Sequence, residues 1–215
     1  PTEMAAKGVR ILHWEKDQTE DSGLVKIDVL GSRSLAVIRD SLIAIREHYG
    51  VELDYKTLNP LDDPKTQDLI ARGDTFGVFY VESPATRLLA MKAGKGDYEH
   101  LVIHSSVIRP AANRFINEYL QRIHGEPWES LHPLIGDILD DNYGIMCYQE
   151  DVTRVAMSLA GFDIAEGDEL RKILSKKHKQ RRLEDLKRKF YAGAFDRGVE
   201  HEVIDKIWDM IMSFA

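Results

Sequence analysis

The chain has 215 residues, 43% hydrophobic and 30% charged, enough for one large domain or one and a half with a real core. A single cysteine excludes a disulfide framework and a cysteine-rich zinc cluster and suits a reducing cytoplasm; no apolar run approaches the roughly 18 residues of a membrane span, and the opening residues lack the pattern of a secretory signal. The formal net charge of −7, taken as an average, argues against a nucleic-acid partner.

Both ends read as cut. The first residues are Pro1, Thr2 and Glu3, and the last, Met212 to Ala215, fall inside an apolar helical pattern. A natural terminus usually frays into polar residues, so the chain is expected to be an excised piece of a longer protein. Leu24 to Leu30, between Gly23 and Gly31, is the strongest strand signal: alternation puts Val25, Ile27 and Val29 on one face and Lys26 and Asp28 on the other. Val9 to Trp14 is a weaker strand candidate that can pair with it across the acidic stretch Glu15 to Asp21. From Ser34 the pattern turns helical, with Leu35, Ile38, Leu42 and Ile45 at helical spacing and Gly50 as the stop. Asp63 before Pro64 and Ser83 before Pro84 each read as an N-cap followed by proline at the first helical position, and Gly73 and Gly94 are the matching stops. Helices are predicted at about 112–124, 133–140, 149–160, 165–176, 180–197 and 200–214. The short apolar pieces Gly77 to Val81 and Gly144 to Tyr148 are open between strand and helix entry. The predicted fold is mainly α with a small β element at the N-terminal edge.

Charge is unevenly spread. Between Arg171 and Lys189 stand ten Lys or Arg against Glu184 and Asp185, so this segment carries +8 and the remainder −15. A local +8 sets its own field within about a Debye length, roughly 8 Å at physiological salt. Read for function, the segment is a phosphate-binding stripe with few interleaved acids; read plainly, it is a solvated helix face.

Other motifs carry less. His100 and His104 are four apart on an expected helix but have no glutamate between them and no third ligand, so they read as packed or surface histidines rather than zinc ligands. Gly94, Lys95 and Gly96 resemble half a phosphate-binding loop, but Leu89 stands where its first glycine belongs. Cys147 reads as a buried thiol, and no Gly-x-Ser-x-Gly elbow is present. Asp28 differs, because a carboxylate in an apolar strand must face solvent or a bound group. Lys26 lies on the same face, roughly 6.6 Å away along an ideal strand. A surface Lys/Asp pair and a metal ligand beside a phosphate-holding cation both fit, although two-metal phosphoryl transfer needs more than one carboxylate.

The segment Gly23 to Gly31 (GLVKIDVLG) resembles the palm strand of the bacterial DNA polymerase III alpha subunits, the C family of replicative polymerases. Further stretches follow in the family's order: Leu61 to Lys65 (LDDPK), Phe79 to Ser83 (FYVES), Ile108 to Pro110 (IRP), Tyr143 to Glu150 (YGIMCYQE), Leu159 to Phe162 (LAGF), Leu170 to Lys172 (LRK) and Ser175 to Lys177 (SKK). The resemblance runs colinearly over nearly the whole chain. It implies that residues 1–33 are the C-terminal piece of the palm and 34–215 a truncated fingers domain. It further implies that Asp28 is one of three carboxylates that hold catalytic Mg²⁺, that Lys26 lies near the incoming dNTP's triphosphate, and that Arg171 and Lys172 face the same triphosphate. Arg109, Lys176, Lys177, Lys179, Arg181 and Arg182 are candidate DNA or phosphate contacts.

The implied activity is template-directed transfer of a nucleotide from dNTP to a primer 3′-hydroxyl. The implied partners are primer-template DNA, the rest of the alpha subunit and replisome subunits such as a sliding clamp, in the bacterial cytoplasm and with no membrane. The fragment alone is expected to be inactive, since the Asp-x-Asp strand that brings the other two carboxylates is not in it. Three departures point to a divergent or error-prone relative: Lys172 replaces the second arginine of the family's pair, Ala111 and Ala112 follow Arg109-Pro110 where the family has Gly-Pro, and Tyr80 replaces a glutamine. From the residues alone, a non-catalytic helical module that binds nucleic acid or phosphate through 171–189 stays open beside the polymerase reading.

Overall fold

The computed structural model describes residues 2–174, 176 and 179–214, and the chain divides into two compact units, Pro1–Leu58 and Asn59–Ala215. In the first unit β1 (Thr2–Met4) and β2 (Arg10–Leu12) form an antiparallel pair in the register Thr2 to Leu12. Gly8, at φ 79°, turns the chain between them, and the Ala5 amide donates to the Val9 carbonyl. The acidic stretch is a helix, α1 (Lys16–Asp21), started by a reciprocal cap between Glu15 and Gln18, whose side chains satisfy two of the otherwise orphaned amides.

Two expectations therefore change. The 9–14 segment does form a strand, but its partner is Thr2–Met4 rather than 24–30. Leu24 to Leu30 joins no ladder, and Val25, Ile27 and Val29 are 83%, 78% and 93% exposed. Alternation reports where side chains would point; a strand forms when another strand satisfies its amides and carbonyls, and among the described residues none lies beside this one. The helix expected from Ser34 is α2 (Arg33–Tyr49), ended by Gly50 in the left-handed region at φ 65°. Its apolar positions Ile38, Leu42 and Ile45 are half-buried at best, and no residue of the helix is buried.

The second unit is helical: α3 (Pro64–Ala71), α4 (Pro84–Ala93), α5 (Tyr98–Val107), α6 (Asn113–Ile123), α7 (Pro133–Leu139), α8 (Gln149–Ala160), α9 (Ile164–Ile173), α10 (Gln180–Asp196) and α11 (His201–Met212). The caps act as their residue types require. Asp63 accepts from the Thr66 amide at 3.0 Å, Ser83 from that of Thr86 at 3.2 Å and Asp97 from that of His100 at 3.1 Å, each satisfying an amide of the first turn. Residues 77–81 are turns, and 144–148 lead as turn and loop into α8, so neither ambiguous piece is a strand.

The apolar faces of these helices make two cores. The larger, between α7 and α11, holds Val152, Leu159, Leu170, Phe190, Ile204, Ile207 and Trp208; the smaller, around α4 to α6, holds Leu89, Ile103, Val107, Tyr119, Ile145 and Cys147. The α8–α10 crossing is close because Gly193 has no side chain: a Cβ there would lie 2.1 Å from the Ala160 carbonyl oxygen. Among the described residues no helix is long and apolar enough to cross a membrane.

Candidate functional site

The sequence spacing that put Lys26 and Asp28 on one side has a direct counterpart in the first unit, where the Lys26 ammonium donates to the Asp28 carboxylate. Both side chains are exposed, and the Lys26 hydrogen bond and charge hold the Asp28 carboxyl below the usual carboxylate range. Asp28 is therefore ionised at neutral pH and carries a hard oxygen donor, the type Mg²⁺ takes. It is a single donor: among the described residues no group of three or more His, Cys, Asp or Glu is placed to hold a metal.

The basic segment occupies the end of α9, the connection that follows, and α10. Arg171 and Lys172 leave the last turn of α9, where cations complement the helix dipole. Both are engaged by one carboxylate. Asp168 Oδ1 accepts from Arg171 Nε at 3.0 Å and Nη2 at 2.7 Å, and Asp168 Oδ2 lies 2.6 Å from Lys172 Nζ. Arg171 Nη1 also donates to Gln149 Oε1 at 3.0 Å. The two cations hold the Asp168 carboxyl below its usual range, Lys172 contributing first and Arg171 second.

The stripe is less positive in space than along the chain. Arg182 makes a two-pronged pair with Glu169 at 2.8 and 2.7 Å, Lys189 pairs with Glu166 and Arg188 with Asp185. Lys187 lies over the Tyr191 and Trp208 rings at 5.5 and 5.8 Å and serves packing. Among the described residues, Glu166, Asp168 and Glu169 of α9, which precede the segment, thus offset part of its +8, which corrects the expectation of few interleaved acids. Arg181 is exposed on α10, Lys179 stands at its N-cap, and Lys176 is half-buried; Lys177 lies outside the described residues.

Arg109 belongs to a different neighbourhood. Its Nη2 donates to the Cys147 carbonyl at 3.0 Å, and its guanidinium lies 3.5 Å from the centroid of the Phe214 ring. Sequence reasoning missed Asp151, a buried carboxylate that accepts from the Cys147 and Tyr148 amides at 3.0 and 2.9 Å and so fixes the entry to α8. Its signal is an acid at the third helical position after Tyr148. Burial pushes its pKa up against those two hydrogen bonds, and pushes the Cys147 thiol up to about 12, which makes it the inert buried thiol the sequence suggested.

The two histidines are packed among acidic and aromatic neighbours. His100 Nδ1 lies 2.7 Å from the Asp97 carboxylate and its Nε2 2.9 Å from the Tyr143 hydroxyl. His104 is fully buried, with Nε2 3.0 Å from the Tyr119 hydroxyl, and burial, aided by His100, lowers its pKa to about 4. The ordinary value is about 6.5, so the unfolded chain binds a proton that the folded chain refuses. Stability is then complete above pH 6.5 and declines as pH falls toward 4. Between pH 7.5 and pH 5 the wild type is expected to lose about 2 kcal/mol from this group, and His104→Gln should flatten that slope. Urea unfolding at both pH values tests it; equal slopes in the two proteins would remove His104 as the cause.

The description "Bacterial DNA polymerase III alpha subunit finger domain" belongs to the family whose sequence profile matches residues 34–198. The DNA polymerase III subunit alpha of Staphylococcus aureus strain Mu50 is 34% identical over 206 residues, covering 95% of this chain and 19% of that protein. Its counterpart in Halalkalibacterium halodurans is 37% identical over 200 residues, 93% of this chain and 18% of that protein, and that of Staphylococcus epidermidis is 33% identical over 206 residues. The chain thus spans about a fifth of the length of the curated relatives it matches.

Proposed function

The chain belongs to the bacterial DNA polymerase III alpha subunit family, in the region of its finger domain, and on that premise we propose that it works as the dNTP-binding part of a template-directed DNA polymerase. Residues 1–33 are the end of the palm and 34–215 the fingers. The observation that carries the reading is the Arg171–Lys172 pair, two adjacent cations on one helical turn that can take the oxygens of a triphosphate. Lys26 contributes a further cation beside Asp28. In the reaction the primer 3′-oxygen bonds to the α-phosphorus of the dNTP, the bond to the β-phosphate oxygen breaks, and pyrophosphate leaves.

Magnesium, the ion this chemistry uses, would find one carboxylate ligand here in Asp28, and when bound it polarises phosphoryl oxygens as a Lewis acid. One carboxylate does not hold a pair of ions, so the remaining ligands belong to other parts of the polymerase, and this chain by itself is expected not to extend a primer. Arg109, Lys176, Lys177, Lys179, Arg181 and Arg182 remain candidates for DNA phosphates, and Lys172 in place of arginine keeps the charge while giving up a two-pronged fork. The partners are primer-template DNA, the rest of the subunit and the replisome, including a sliding clamp, in the bacterial cytoplasm.

Titration of the chain with dNTP, tripolyphosphate and primer-template DNA at two salt concentrations tests the reading. The expected result is weak binding of the triphosphates that falls steeply with salt and drops about tenfold or more in the Arg171→Ala/Lys172→Ala variant, the worth of one or two charge-assisted hydrogen bonds. Binding of DNA alone, unaffected by that variant, would favour a non-catalytic nucleic-acid module. No binding of either would favour a solvated helix face.

A further inference from the structure

We propose that Asp168 is an exchangeable counter-anion for the triphosphate-binding pair: it occupies Arg171 and Lys172 when the site is empty, yields to an incoming polyphosphate, and reclaims the two cations as pyrophosphate leaves. The inference rests on the reading of Arg171 and Lys172 given above.

The geometry is that of a filled anion site. A carboxylate presents two oxygens, and here each is taken by a different cation, Oδ1 by Arg171 at 2.7 Å and Oδ2 by Lys172 at 2.6 Å. Those are the donors a phosphate would use, so a phosphate oxygen and Asp168 compete for the same N–H groups. Spacing makes the competitor local. Asp168 stands three and four residues before its partners, one turn back on the same helix, and regains them by rotation of side chains alone.

The three side chains differ in how far they can move. Arg171 is the least exposed, 26%, and has a second anchor in Gln149 Oε1 on α8. Lys172 is 64% exposed, and Asp168 is the ligand found for its ammonium. Exchange therefore needs the lysine and the carboxylate to swing while the guanidinium stays where Gln149 holds it. The groove on that side, about 580 Å³ and lined by Glu150, Thr153, Arg154, Ile164, Asp168 and Arg171, gives the displaced carboxylate room.

Two opposite effects of Asp168 on affinity can be weighed. Holding the cations in place favours binding, but exposed ion pairs of this type contribute little. Removing one negative charge from beside the ligand favours binding more: at about 4 Å in water each ligand charge gains roughly fivefold in affinity. The charge effect wins, and it grows with ligand charge. Asp168 thus keeps the pair from retaining the multiply charged product.

Isothermal titration of the full chain with sodium tripolyphosphate, pyrophosphate and orthophosphate tests this. Asp168→Asn, with Asp168→Ser as a second variant, is expected to bind tripolyphosphate and pyrophosphate about fivefold or more tighter, with a smaller gain for orthophosphate. The gain should vanish when Arg171→Ala/Lys172→Ala is added, a loss that a merely structural role would not produce. Glu202→Gln, which breaks the exposed pair with Lys206 on α11, controls for net charge and is expected to change nothing. Unchanged or weaker binding in both Asp168 variants, or equal tightening in Glu202→Gln, overturns the inference while the triphosphate reading stands on the Arg171/Lys172 result. Absence of binding in the wild type and in both Asp168 variants overturns the triphosphate reading and the inference with it.

Discussion

Truncating Phe190 to alanine is expected to lower the stability of the helical unit by about 3–5 kcal/mol, the range for removing a buried aromatic ring whose site cannot collapse. Phe190 has no exposed surface, and its ring sits among three others: Phe162 at 6.2 Å and Tyr191 at 6.4 Å, both edge-on, and Trp208 at 5.3 Å. These come from the loop after α8, from α10 itself and from α11, so the cavity opens where three elements meet. The surroundings resist closing it. Gly193, one turn further along α10, already brings the helix backbone against the Ala160 carbonyl, and α10 cannot approach α8 more closely without a clash. Urea unfolding followed by circular dichroism measures the effect, with Phe190→Leu as a milder companion. A loss below about 1 kcal/mol in Phe190→Ala, the size of an ordinary surface change, would mean that this face is not a packed core.

Much of that core is legible in the sequence. Phe190 and Ala194 are four apart within the predicted 180–197 helix, and Ile204, Ile207, Trp208 and Ile211 recur at helical spacing within the predicted 200–214 helix. Caps were legible for a local reason: Asp63, Ser83 and Gly94 each act within four residues of themselves, so tertiary structure has little to add. The 24–30 segment shows the limit. Its alternation is as clear as that of any strand, yet pairing is decided by a second segment, which the pattern does not contain. Helix α2 shows the same limit from the other side, since its 3.6-residue period is plain in the sequence while a surface to cover its apolar stripe lies beyond what periodicity reports.

The candidate site divides along the same line. Asp168, Arg171 and Lys172 are at spacings of three and four on one helix, so their pairing could be read from sequence. Glu166 with Lys189 and Glu169 with Arg182 are separated by 23 and 13 residues, and they meet because α9 packs against α10. A charge count along the chain cannot see those pairs and therefore overstated the field. Asp151 escaped notice because an acid in the first turn of a helix usually reads as a dipole complement in solvent, whereas the loop carrying Cys147 and Tyr148 folds over this one and buries it.

Asp28→Asn, made in the intact polymerase that carries this sequence, is expected to reduce primer extension on the order of a thousandfold, the rate equivalent of several kcal/mol of lost charge stabilisation, with primer-template binding retained. The expectation combines the carboxylate's proposed place in the chemistry with its observed surroundings. Asp28 is exposed and ionised, and Lys26 is its partner in the structure. Asparagine keeps the shape and an oxygen acceptor for Lys26 while removing the charge, so neither the fold nor the nearby cation should be disturbed. That separates chemistry from stability in a way a buried residue would not allow. The pH dependence has a definite sign: with Lys26 holding the Asp28 carboxyl below its ordinary value, Asp28 stays charged at lower pH than a free aspartate does, so protonation of Asp28 should lower activity only at a more acidic pH than it would without Lys26. Lys26→Ala should let Asp28 protonate at higher pH and raise KM for dNTP, since it removes both the hydrogen bond and a cation proposed to meet the triphosphate. Extension by Asp28→Asn near the wild-type rate would take Asp28 out of the chemistry and reduce its pair with Lys26 to an ordinary surface contact.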